Sequence, residues 1–469
     1  MPKQQQTIFS WQLVDDEQTW RELTADSANS SNKPSVRPRY WFLSAAVFAL
    51  VLVSLLGAYL YRQAGIGLAQ VQSELATAVD TESWAASSGS QAVRQGVLDP
   101  AAPDIWRSRI LMEHEPIAEN IAGGNPPADV RPVLFRDGVA LVQVRERSTA
   151  GSVYVEHRFY RETEDGWVRT PPRPALWGPM RSHETRFFRF YFHEQDAVAV
   201  NATADRIDDF YAGLREDLGL PLPDDAEKRS IYVTVPEAPQ LDMLSLFFVG
   251  NRLEVPSPKL LPVLESATPS QALEQSIDQA LIQNLFQQPE VQLEVRNYWY
   301  PLLDGMRLWQ LRQANHQAAW YTGNLRWLYT EWPAIHRGDR VLRVGEADWL
   351  CHVTDGGTPL IANRLLSDDC GDADPPHLMQ DMPLPPQHLV DLEMIPSIPT
   401  SGEHWVHRWQ QLTILASIVD YGVTTYGRQT LPLLLQAITV YDDWETLIPA
   451  VYDVSVEEFE AGWQAYLRK

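Results

Sequence analysis

Apolar residues along the chain fall into patterns of three kinds, each predicting a different element. The longest is the run 41–61 (WFLSAAVFALVLVSLLGAYLY), which carries no charge and no polar stripe. A run of that length can cross a bilayer as one helix. Because 40 mostly polar residues precede it, an uncleaved anchor is expected rather than a cleaved signal peptide. Tyr40, Trp41, Tyr59 and Tyr61 bracket the run, as aromatics do at membrane interfaces. Lys33, Arg37 and Arg39 stand before it, whereas only Arg62 follows before Arg94. The positive-inside rule then places the N-terminus in the cytoplasm and the remainder outside the cell membrane, as a single-pass protein.

The second pattern has helical period. Leu68, Val71, Leu75 and Val79 recur every three or four residues, predicting a helix within 62–97 that either continues the anchor as a stalk or opens the next domain. Ile105, Trp106, Ile110 and Leu111 predict a short helix. The third pattern is strand-like, at 130–135, 139–146 and 153–160, with Asp137-Gly138 as a hairpin turn and Glu164-Asp165-Gly166 as a second turn. Strands are also expected at 185–192, 230–235 and 244–249, with a helix at 197–218. Helices are expected at 271–287, 301–314, 318–331, 405–426, 430–438, 444–451 and 456–467, with a Pro-rich break at 375–399. The fold class read from this order is α+β: a transmembrane helix, a small helix-plus-antiparallel-sheet domain, then a strand-rich start with a mainly helical body.

Charge adds to the topological reading. The 469 residues carry a formal charge of −23, yet residues 1–61 balance five basic against five acidic groups. All the net negative charge therefore lies beyond the apolar run. Such a surface repels phosphate backbones, so no nucleic-acid partner is expected. Cys351 and Cys370 are the two cysteines. In an oxidising compartment they would form one disulfide, contributing about 3 kcal/mol by loop closure; two free buried thiols are the alternative.

The short helix, the meander and the tail "GWVRTPPRPALWGP" resemble the cone-shaped domains of the nuclear transport factor 2-like superfamily, over 98–180. Members of that group bind a small apolar ligand in the cone or act as scaffolds. Further along, "TRFFRFYFHEQDAVAV" and "SIVDYGVTTYGRQTLPLLLQAITVYDDWETLIPAVYDVSVEEFEAGWQAYL" resemble gluzincin-type zinc peptidases of the peptidase MA-like group, over 183–469. That resemblance implies a helix carrying His-Glu-x-x-His, whose imidazoles hold Zn²⁺ and whose Glu activates water, with a downstream carboxylate as third ligand. Here the corresponding helix reads Gln275-Ser276-Ile277-Asp278-Gln279, and Asp304-Gly305 falls where the third-ligand motif would stand. A neutral amide is a poor zinc ligand and Ser276 cannot replace a carboxylate base. The resemblance therefore implies a degenerate, non-catalytic member with no cofactor.

Two other groups could hold a metal. Glu403, His404 and His407 form a His-x-x-His pair on an expected helix, open to zinc or to a plain exposed reading. Asp368, Asp369, Asp372 and Asp374 offer loop oxygens for calcium, without EF-hand order. Tyr298, Trp299, Tyr300, Trp309, Trp320 and Trp327 are aromatics that could line a cleft for a peptide, glycan or protein ligand. The expected function is thus a membrane-anchored, extracytoplasmic binding, scaffolding or sensing module. The alternative is an anchored hydrolase or metallopeptidase with a non-standard site, centred on Glu403, His404 and His407.

Overall fold

The computed structural model describes residues 50, 53–54, 69–85, 91–113, 129–147, 152–223, 228–236, 250–288, 291, 295–314, 327–337, 339, 384–386, 388–392 and 402–468. The chain divides into two units, residues 1–69 and residues 70–469. In the first, Leu50, Val53 and Ser54 are helical, and Ser54 Oγ donates to the Leu50 carbonyl at 2.8 Å. The membrane-spanning helix expected over 41–61 is corrected here. Among the described residues no helix is long and apolar enough to cross a membrane, and the remainder of that run lies outside them. An uncharged run satisfies a hydropathy window, but a span also needs about 20 residues of continuous helix.

The second unit begins with a helix over 70–85 (α1), followed by α2 (Gln91–Gly96) and α3 (Asp104–Glu113). Trp106 and Ile110 of α3 are buried against Leu98 and Ala102. Four antiparallel strands come next: β1 (Asp129–Arg136), β2 (Val139–Arg147), β3 (Val153–Thr163) and β4 (Gly166–Arg169). Asp137 and Gly138 join the first two strands with φ of 54° and 69°. Two successive left-handed residues give the turn whose twist matches a hairpin, the turn that Asp-Gly predicts.

Cross-strand partners share a face, and the pairs Ala140 with Tyr160, Val142 with Arg158 and Val144 with Glu156 mark the one that α1 covers. There Leu75 and Val79 pack on Val130, Ala140, Val142, Val144, Tyr160 and Trp167. The apolar stripe read from the sequence thus faces a sheet. On the opposite face Val139, Leu141 and Phe159 meet Leu176, Trp177 and Val235.

A second sheet holds β5 (Met180–Glu184) antiparallel to β6 (Phe188–His193), then β7 (Arg229–Thr234) and β8 (Arg252–Pro256), each parallel to the strand before it. Helix α4 (Ala197–Asp217) makes the crossover from β6 to β7. Period-2 alternation turns Phe188, Phe190, Phe192, Ile231, Val233, Leu253 and Val255 into a core shared with α4 and with α5 (Pro269–Phe286). Between β8 and α5 a two-residue strand, β9 (Val263–Leu264), returns to the first sheet, pairing with Tyr154 and Val155 of β3. The strand expected at 244–249 lies outside the described residues.

The helical body continues with α6 (Tyr300–Ala314), a π-helical turn at Trp327–Glu331, α7 (Trp332–His336), α8 (Gly402–Tyr426), α9 (Thr430–Val440), α10 (Trp444–Tyr452) and α11 (Val456–Leu467). α6 crosses α8 at Gly305, where a Cβ would lie 2.7 Å from Leu415 Cβ and 3.1 Å from its carbonyl carbon. No side chain fits there without moving one helix.

Candidate functional site

Helix α5 carries the positions singled out in the sequence. It starts on a capping box: Thr268 Oγ1 accepts from the Gln271 amide at 3.3 Å, and Gln271 Oε1 accepts from the Thr268 amide at 2.8 Å, with Pro269 opening the first turn. Ala272, Leu273, Ile277, Ala280, Leu281, Ile282, Leu285 and Phe286 bury it on nearly every side. Three of its polar residues, Ser276, Asp278 and Gln283, are buried with them. Ser276 is fully buried and donates to the Ala272 carbonyl at 2.9 Å, a local bond that leaves it no catalytic role. Gln275 and Gln279 lie one turn apart on one face, both half-buried.

Three acceptors on this helix have no donor. Gln275 Oε1, Asp278 Oδ1 and Gln283 Oε1 are buried without a hydrogen-bond partner. Asp278 is only 3% exposed. Its surroundings explain a carboxyl held well above the usual carboxylate range: burial is the main cause, the Glu274 charge adds to it, and the Arg206 guanidinium opposes it. Arg206, on α4, is itself engaged with Glu274.

Asp304 sits on α6, half-buried, with Arg307 Nη2 at 3.2 Å from its Oδ1. The neighbouring Gly305 is explained by the close crossing with α8, a packing reason independent of any ligand motif.

Two of the aromatics expected to line a cleft are core residues. Trp299 is fully buried, donates from Nε1 to the Tyr441 carbonyl at 2.7 Å and stands edge-on to Trp444. Trp309 is buried, donates to Asp420 Oδ1 at 2.8 Å and lies under the Arg428 guanidinium. Tyr298 is partly exposed at the edge of Trp299. Trp320, Cys351, Cys370, Asp368, Asp369, Asp372 and Asp374 lie outside the described residues. Glu403, His404 and His407 fall on the first turns of α8, and their side chains lie outside the described residues as well. Among the described residues, no group of three or more His, Cys, Asp or Glu could hold a metal ion.

Sequence spacing missed three buried polar centres. Under α1, Glu82 accepts from Tyr160 Oη at 2.6 Å and from Arg169 Nη1 at 2.5 Å. Arg158, almost wholly buried, pairs with Glu156 and, at 2.6 Å, with Glu146. Alternation on β3 signals this cluster, since Glu156, Arg158 and Tyr160 must share a face. At the start of α4, Asp196 accepts from Ser257 Oγ at 2.6 Å and Trp177 Nε1 at 2.8 Å, with burial raising its carboxyl and these two bonds opposing the rise. Ser257 and Asp196 are both fully buried, and the Ser257 hydroxyl is spent on the Asp196 carboxylate. At the end of α4, Asp217 takes a bidentate contact from Arg428, at 2.6 and 2.5 Å, and a third bond from Gln310 at 2.6 Å. In all three centres each buried carboxylate is met by donors inside the fold, whereas Asp278 of α5 is not.

No protein family matches the chain, and neither a curated protein nor a solved structure is similar to it. The gluzincin and nuclear transport factor 2-like resemblances rest on residue pattern alone.

Proposed function

We propose that the part of the chain from β5 to α11 is a non-catalytic binding module for a peptide or protein ligand, and that α5 supplies its recognition surface. One observation carries this reading: among the described residues, the buried carboxylate and amide oxygens without a hydrogen-bond partner, those of Gln275, Asp278 and Gln283, all lie on α5. An acceptor buried without a donor costs about 1–3 kcal/mol. A donor-bearing ligand recovers that cost on binding. The residues at the expected metal positions support binding over hydrolysis. Gln275 and Gln279 are neutral amides, and Ser276 spends its hydroxyl on its own helix. Equilibrium binding of the purified chain to an array of acetylated peptides, alongside a zinc-supplemented peptidase assay, tests the reading. Saturable binding that survives a chelator, without cleavage, is expected. Chelator-sensitive cleavage overturns it, as does an array without a single bound peptide.

A further inference from the structure

Gln275 and Asp278 are three residues apart on α5, a spacing that makes side chains neighbours on a helix surface. Both hold an oxygen buried without a hydrogen-bond partner, and Asp278 is more than nine-tenths buried. Glu274 lies one turn before Asp278. The charges nearby are Glu274 and Asp278 against Arg206 alone, leaving one negative charge uncompensated when Asp278 is ionised.

We infer that Gln275 Oε1 and Asp278 Oδ1 form a subsite for a primary ammonium group carried by the ligand of this module, with the Glu274 carboxylate as a third acceptor. The inference rests on the binding reading above. An ammonium supplies three donors and one positive charge, which matches three acceptors and one uncompensated negative charge. A guanidinium fits less well: that of Arg206 is already close by, and it pairs with Glu274 while leaving Asp278 Oδ1 without a donor. A hard divalent cation fits less well again, because calcium takes 6–8 oxygens and α5 presents far fewer. Burial holds the Asp278 carboxyl well above its usual range, and an ammonium beside it favours the carboxylate and opposes that rise.

Thermal unfolding of the full chain at pH 7.5 tests this with three probes: acetyl-Ala-Lys-Ala-amide, Ala-Ala-Ala-amide and acetyl-Ala-Met-Ala-amide. At about 100 times Kd, a ligand bound only to the folded state raises Tm by several degrees. The subsite predicts that rise for at least one amine-bearing probe and none for the methionine probe. The first two probes separate a lysine side chain from a chain-terminal amine. Asp278→Asn is expected to fold and lose the response at least tenfold in affinity, and Gln275→Met to weaken it. An unchanged response in either variant overturns the subsite. Equal responses to all three probes overturn the subsite and leave the binding reading intact. Silence from all three overturns the subsite, and the peptide array then decides the binding reading on its own terms.

Discussion

Two helices of this molecule bury charge against a neighbour, and they do it in opposite ways. On α1, Glu82 enters a site where Tyr160, Arg158 and Arg169 already wait, so one carboxylate is met by a hydroxyl and two guanidinium groups. On α5, Asp278 enters a site where the nearest charges are a second carboxylate and an Arg that is already paired. Both carboxyls are about equally hidden from water. The first is a latch, because its partners are inside the fold. The second is unfinished, because no partner is. Burial by itself therefore says little about a polar residue's role; the count of donors around it decides.

The comparison breaks most visibly at the latch. Glu82→Ala leaves Arg158 and Arg169 buried with a missing counter-charge, and losing one partner of a buried ionic group costs about 3–5 kcal/mol. Urea unfolding should show that loss, with Glu82→Gln recovering part of it through the Tyr160 bond. A loss under about 1 kcal/mol would mean that α1 is held by Leu75 and Val79 alone.

Next in size is a change in pure packing, which calibrates the polar effects. Gly305→Ala drives a methyl group into Leu415 at the α6–α8 crossing. Overpacking of this kind costs about 1–3 kcal/mol. If unfolding shows no change, the two helices have room to separate and the crossing is looser than its distances.

Asp278→Asn should have the opposite sign. The carboxyl is raised when folded above its ordinary 3.8, so the unfolded chain gives up its proton first as pH rises. Stability is then complete below about 3.8 and declines as pH rises toward the folded value. The amide has no proton to lose, so the variant should be more stable at pH 7, with that part of the pH dependence gone. A destabilised Asp278→Asn, or an unchanged pH profile, would show that Asp278 has a charge partner after all, and the contrast with Glu82 would vanish.

The two helices also differed in how far the sequence reveals them. The stripe of Leu75 and Val79 predicts an apolar face, and Asp137-Gly138 predicts the hairpin that receives it. Alternation in Phe188, Phe190 and Phe192 predicts a one-sided strand, and all three form. Glu82 and Arg169 are 87 residues apart, however, and no local period links them. β9 is two residues long, below the length at which alternation exists, so its return to β3 is invisible in advance. Trp299 and Trp309 show why spacing does not distinguish a cleft from a core: in a helix, a core tryptophan and a cleft tryptophan have the same spacing, and burial with Nε1 bonds to Tyr441 and Asp420 marks these two as core. Of the run 41–61 only Leu50, Val53 and Ser54 are described, and among the described residues no helix is long and apolar enough to cross a membrane.

The smallest expected effect sharpens the reading of α5 itself. Thr268 and Gln271 satisfy each other's amides at the helix start, and Thr268→Ala removes one of those two bonds. A lost N-cap costs about 1 kcal/mol. The cap lies about two turns before Gln275 and is exposed, so its loss should lower stability without changing the ligand response assigned to Asp278. Thermal unfolding with and without acetyl-Ala-Lys-Ala-amide separates the two quantities: the midpoint falls, while the rise on adding the probe stays as in the unmodified chain. A diminished rise would mean that the acceptor row is set by how firmly α5 begins, and that the site depends on the whole helix more than on its two unmatched oxygens.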